Sequence, residues 1–215
     1  SCAHSSFEQK QLKHALDFAT SNRLELEILL QHYTYDSLKL EAAKFLIRNM
    51  PHCYSYQQGG EMDSVKRVRT YYSPFGQIDQ TYARRWGHYT YRNLPKIYDA
   101  HIITAEYLID NIDRAFDNWQ KRPWNRSLSF EDFCEYLLPY RIGDEPLEEW
   151  RELYEKKYGY LLDSIYKGSD VVEAANLVSR HLQEPVFIYC EDFELPHIGP
   201  RYLFSHRYGS CVDAA

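Results

Sequence analysis

No run of 18 or more apolar residues occurs in these 215 residues, which excludes a transmembrane helix within them. Positive charge is also in short supply: 25 Lys and Arg stand against 31 Asp and Glu, a net charge of −6. A nucleic-acid surface depends on clustered cations that displace counterions from phosphates, so no nucleic-acid partner is expected. The basic runs Lys66-Arg67-Val68-Arg69 and Arg84-Arg85 are short and read as solvated helix faces. Internal repeats, low-complexity tracts and glycine-rich phosphate loops are missing. The five cysteines show no paired spacing, which argues against a disulfide framework or a zinc knuckle. Neither a metal nor a cofactor is expected.

What is present is enough for a core. A chain 44% hydrophobic can form one large or two small soluble domains. Aromatics are unusually frequent, with 20 Tyr, 10 Phe and 4 Trp. Tyrosine packs well between helices with its hydroxyl at the rim, and it also stacks on sugars or peptides. The packing role is the more economical reading.

The first half reads as helices. Ser6 with Gln9 resembles a capping box opening a helix at residues 7–20, and Asn22 with Glu25 opens a second, running to Tyr33. Leu24, Leu26, Ile28, Leu29 and Leu30 cover more than one face of it, which predicts thorough burial. Asp36 or Ser37 caps a third helix, residues 38–50, stopped by Pro51. Residues 52–60 read as a loop, 65–72 as a helix and 77–95 as irregular. Within that last segment Trp86, His88, Tyr89 and Tyr91 are the candidates for a ligand-binding surface. A long helix is predicted at 98–121, ended by Pro123, and Ser129 with Asp132 caps another at 130–138.

Asp144 ahead of Pro146 predicts a helix at 146–167, with proline in the first turn where its missing amide costs nothing. Gly168 closes it and Asp170 opens the next at 171–182. Only then does the pattern change. Val186-Phe187-Ile188-Tyr189-Cys190 is enriched in β-branched and aromatic residues and reads as a short strand. Pro196, Gly199 and Pro200 predict extended chain after it. The fold class is therefore mainly α, with about eight helices; that they lead into the first elements of an α+β core is what a family resemblance carried by the end of the chain implies. The domains are residues 1–125, helical, and 126–215, the lead-in and start of that core.

The last residues, Gly209-Ser210-Cys211-Val212-Asp213-Ala214-Ala215, carry the candidate chemistry. A small, flexible pair followed by a cysteine delivers a thiol to the first turn of a helix. There, unpaired amides and the positive end of the dipole favour thiolate. Asp213 serves that helix end electrostatically. Such a nucleophile needs a histidine base and a group to orient it. His181, His197 and His206 have no motif for that role, and the adjacent carboxylates Glu148-Glu149 and Glu191-Asp192 read as solvated faces.

The stretch from His206 to Ala215 resembles the nucleophile segment of transglutaminase-like proteins, in which a glycine shortly precedes the cysteine of an alanine-rich helix. Upstream, Asn22-Arg23-Leu24-Glu25-Leu26-Glu27, Ala42-Ala43-Lys44-Phe45-Leu46-Ile47-Arg48-Asn49-Met50-Pro51, Leu138-Pro139-Tyr140-Arg141 and Asp144-Glu145-Pro146-Leu147 resemble the helical portion of bacterial transglutaminase-domain lipoproteins. The resemblance implies a papain-like Cys-His-Asp arrangement in which Cys211 attacks a peptide or protein amide and forms a thioester, resolved by water or an amine. It implies that the histidine and aspartate follow on strands beyond residue 215, so that residues 1–215 alone are inactive. Ser1-Cys2-Ala3 then reads as the start of a trimmed lipoprotein, with Cys2 the lipid attachment site in the periplasm or at the cell surface. The membrane partner is reached only through that anchor. Cys53, Cys134 and Cys190 remain as small buried apolar residues. A second function is a non-catalytic envelope module that binds peptide or glycan through the Tyr- and Trp-rich helical region.

Overall fold

Helices dominate the residues described by the computed structural model, which are 2–60, 62–63, 93–182, 188–189, 197–206 and 208–209. The mainly α expectation holds for them. The helix expected at 65–72, most of the irregular segment 77–95 and both basic runs lie outside the described residues.

Two compact units are each assembled from two stretches of chain. The first is Ser1–Tyr54 with Ile97–Ile142, and the second Ser55–Lys96 with Gly143–Ala215. The sequence reading divides the chain once, between residues 125 and 126.

In the first unit, α1 (Cys2–Phe18), α2 (Arg23–His32) and α3 (Ser37–Asn49) follow one another through short turns. Because α1 already begins at Cys2, Ser6 and Gln9 lie within it and form no capping box at its start. Asn22 does not cap α2 either. Its Nδ2 donates instead to the carbonyls of Ala100 and Ile103, at 3.0 and 2.8 Å. Glu25 has a tertiary use as well, accepting the amide of Ala105 at 2.7 Å. Asp36 is the cap of α3, accepting the Lys39 amide at 3.1 Å. Burial in α2 is narrower than its composition suggests: Leu26 and Leu29 are enclosed, whereas Leu24 and Ile28 are 64% and 40% exposed. Only one face of α2 meets the core.

Pro51 sits in a 3₁₀ turn, Met50–His52, and the chain then enters β1 (Tyr54–Tyr56) rather than the expected loop. Its partner is β2 (Lys96–Tyr98). The long helix expected from residue 98 is shortened accordingly: a 3₁₀ turn at Asp99–His101 intervenes, and α4 (Ala105–Lys121) starts behind Thr104, whose side chain accepts the Tyr107 amide. The pairing of β2 and the burial of Asp99 take these residues out of the helix. On α4, Leu108, Ile112, Ala115 and Phe116 are buried at helical spacing.

Ser129 and Asp132 do form the expected capping box, opening α5 (Phe130–Asp132). The chain continues as a π-helical turn, Phe133–Leu137. Phe133 packs against Phe116 and Trp119 at ring separations of 4.6 and 4.4 Å. This aromatic cluster joins α4 to the turn.

In the second unit α6 (Trp150–Tyr160) begins four residues later than Pro146, and a π-helical turn, Leu161–Ile165, extends it. The helix does not reach Pro146 because the Asp144 carboxylate accepts the amide of His197 at 2.8 Å and so has a tertiary partner. Then α7 (Val171–Leu182) starts where expected, its first amides accepted by Asp170. Tyr158, Leu161 and Leu182 form a buried cluster against which Phe204 packs. Phe204 comes from α8 (Pro200–His206), a helix that begins at a proline expected in extended chain. Proline at the first helical position has its φ already suited to the turn. Of the expected strand at 186–190, Ile188–Tyr189 is described as β3, and it pairs in parallel with β4 (Tyr208–Gly209).

Candidate functional site

Cys211 lies outside the described residues, as do Cys190, Trp86, His88, Tyr89 and Tyr91. β4 ends at Gly209, two residues before Cys211. Cys2 opens α1. Of the histidines considered as bases, His206 is the last residue of α8, and His181 and His197 have structural contacts. His181 donates from Nδ1 to the Leu177 carbonyl one turn earlier, at 2.9 Å. The His197 ring leaves no room for a side chain at residue 143, which is glycine.

The Glu148-Glu149 pair lies ahead of a helix rather than on one, and Glu149 is solvent-exposed as expected. Both residues precede α6, and both carboxylates meet Arg201: Glu148 accepts its amide at 2.9 Å, and Glu149 lies 3.9 Å from its guanidinium. A carboxylate at the first turn of α8 satisfies an amide that has no partner within the helix.

Sequence reasoning missed a cavity of about 250 Å³ in the first unit, lined by residues from α3 and from the segment 135–141. Phe45, Leu46 and Asn49 come from the last turns of α3, and Cys53 follows the 3₁₀ turn behind it. Glu135 comes from the π turn, and Pro139, Tyr140 and Arg141 complete the lining.

The far wall is held by specific contacts. The Leu138 carbonyl accepts from Asn111 Nδ2 at 2.9 Å on α4. The Tyr140 ring meets Tyr107 edge to face at 6.0 Å. Arg141 is fixed by the carboxylate of Asp99, which is fully buried. Burial, above all, pushes the Tyr140 phenol well above its usual range, with the nearby Asp99 carboxylate and Cys53 adding to the shift.

Cys53 corrects an expectation, since it is only partly buried and forms part of the cavity wall. Its thiol donates to the Asn49 carbonyl at 3.6 Å. Cys134 does behave as a small core residue: it is buried, and desolvation pushes its thiol up to about 11. The only signal for the cavity in the sequence was polar residues at positions ending or following helices, and that signal is common to any loop.

Among the described residues, no group of three or more His, Cys, Asp or Glu side chains is placed to hold a metal ion, and no helix is long and apolar enough to cross a membrane. Comparison with family models, with curated proteins and with solved structures gives no match.

Proposed function

We propose that this chain carries the nucleophile segment of a transglutaminase-like cysteine protein of the bacterial cell envelope, with Cys211 as the attacking group. The observation that carries the reading is the order of elements at this end of the chain: a parallel strand pair whose second strand ends at Gly209, then Ser210, then the cysteine. A strand end followed by small residues is a suitable route for bringing a thiol to the first turn of a helix. The thiolate attacks the carbonyl carbon of a peptide or protein amide. The C–N bond then breaks, the amine leaves with a proton returned by the base, and a thioester remains for water or a second amine. The resemblance assigns the base and its orienting carboxylate to a histidine and an aspartate downstream of the cysteine. Cys2 is the proposed lipid attachment site, which would place the protein in the periplasm or at the cell surface.

Amide hydrolysis and amine incorporation by the native protein, each compared with the Cys211→Ser variant, test the chemistry. Turnover that vanishes in the variant is expected. Turnover that survives removes Cys211 from the mechanism. Alkylation of Cys211 as a function of pH provides a second readout: a profile centred near the ordinary thiol value of about 8.5 contradicts activation. For the anchor, Cys2→Ala is expected to move the protein from the membrane fraction to the soluble one.

The cavity of the first unit favours a second reading, a non-catalytic module that binds a peptide or glycan. It offers a partly apolar recess supported by buried polar contacts, which suits recognition. On that reading ligand binding is unchanged by Cys211→Ser.

A further inference from the structure

The cavity holds features that select among ligands. At about 250 Å³ it falls below the ~300–1,000 Å³ of sites that enclose whole small molecules. It is suited to one side chain of a larger partner. Phe45, Leu46 and Pro139 provide apolar surface for a hydrocarbon stem.

The charge at the cavity is unbalanced. Arg141, the one cationic lining residue among the described residues, is matched by Asp99, with both side chains almost wholly buried. Glu135 is a solvent-exposed carboxylate that has no ion pair or hydrogen bond among the described residues. Nearby on α3, Arg48 is paired with Glu8 at 3.3 Å. Asn49 donates through Nδ2 to the Phe45 carbonyl at 3.0 Å, which leaves its amide oxygen as an acceptor. A partner with several donors and a positive charge complements this set.

We infer that the cavity formed by α3 and residues 135–141 receives a lysine side chain of a partner peptide, its stem on Phe45, Leu46 and Pro139 and its ammonium at Glu135. This rests on the reading that the cavity binds a partner at all. A lysine matches in shape and charge, because a flexible aliphatic stem ends in a compact cation with three donors. The guanidinium of arginine is planar and broader, and fits a recess of this volume less well.

Cys53 in the cavity wall reports occupancy. Its alkylation by iodoacetamide in the native protein can be followed by peptide mass spectrometry, which separates it from the other cysteines. The probes are Nα-acetyl-lysine methylamide and the uncharged Nα-acetyl-norleucine methylamide. The lysine probe is expected to slow Cys53 alkylation several-fold and the norleucine probe to leave it unchanged. Glu135→Gln, a change at an exposed position, is expected to abolish that protection without altering the melting curve. Equal protection by both probes, or protection that survives Glu135→Gln, overturns lysine recognition but leaves a binding cavity. No protection by either probe overturns the binding reading as well.

Discussion

Arg141 holds Asp99 through two hydrogen bonds, Nε to Oδ2 at 2.7 Å and Nη2 to Oδ1 at 2.6 Å, with the side chains 6% and 0% exposed. A two-pronged pair of this kind is directional as well as attractive, and it fixes the end of segment 135–141 against the turn at Asp99–His101.

Removing one partner strands a buried charge. Arg141→Met is expected to destabilise the fold by about 3–5 kcal/mol. The double variant Asp99→Asn/Arg141→Met should recover part of that loss, since no unpaired charge remains. Denaturant unfolding of the two singles and the double measures the coupling, and additive losses would show that the pair does not act as a unit.

Asn22 links the start of α2 to the carbonyls of Ala100 and Ile103. Asn22→Ala leaves both partly buried acceptors without this donor and is expected to cost about 1–3 kcal/mol. Asp36→Ala, which removes only the cap of α3, is expected to cost about 1 kcal/mol. If the two losses were reversed in size, Asn22 would be no more than a surface residue.

Alkaline pH should weaken the fold. Tyr33 and Tyr140 are raised well above their usual range, chiefly by burial, with Asp113 and Asp99 respectively adding to it. Burial also pushes Tyr154 up to about 12. Each group keeps its proton longer in the folded state. Its contribution is therefore fully present below the unfolded value of about 10 and is lost as pH rises towards the folded value. The last phase of tyrosinate absorbance, from the buried tyrosines, is expected to appear together with loss of helical circular dichroism, and Tyr140→Phe should flatten the stability curve above pH ~10.

Thr20 has a φ of 51°, in the left-handed region that a β-branched residue rarely adopts. Its side chain is exposed. Thr20→Gly is expected to leave stability unchanged or raise it by up to about 1 kcal/mol, because relief of the left-handed strain opposes the greater freedom of unfolded glycine. A loss of more than that in thermal or denaturant unfolding would show that the threonine side chain makes a needed contact.

Local signals were legible where the deciding contacts are local. The Ser129–Asp132 capping box, the Asp36 cap and the start of α7 at Asp170 all join residues within a few positions of one another. Expectations failed where a polar side chain with local capping chemistry found a distant partner. Asn22, Glu25 and Asp144 each have the composition of a helix start, yet they bond to Ala100 and Ile103, to Ala105 and to His197. The long helix expected from residue 98 was displaced for a similar reason, since Tyr98 belongs to a strand and Asp99 to a buried ion pair.

The sequence by itself determined that the chain is mainly helical, because apolar spacing and caps act over a few residues. It also singled out Cys211 through a local motif. Tertiary structure alone decided that Asp99 and Arg141, 42 positions apart, share a buried ion pair, and that Cys53 and Glu135 border one cavity. Those relationships depend on how α3, α4 and the segment around the π turn pack. Packing unites residues whose separation along the chain leaves no periodic trace.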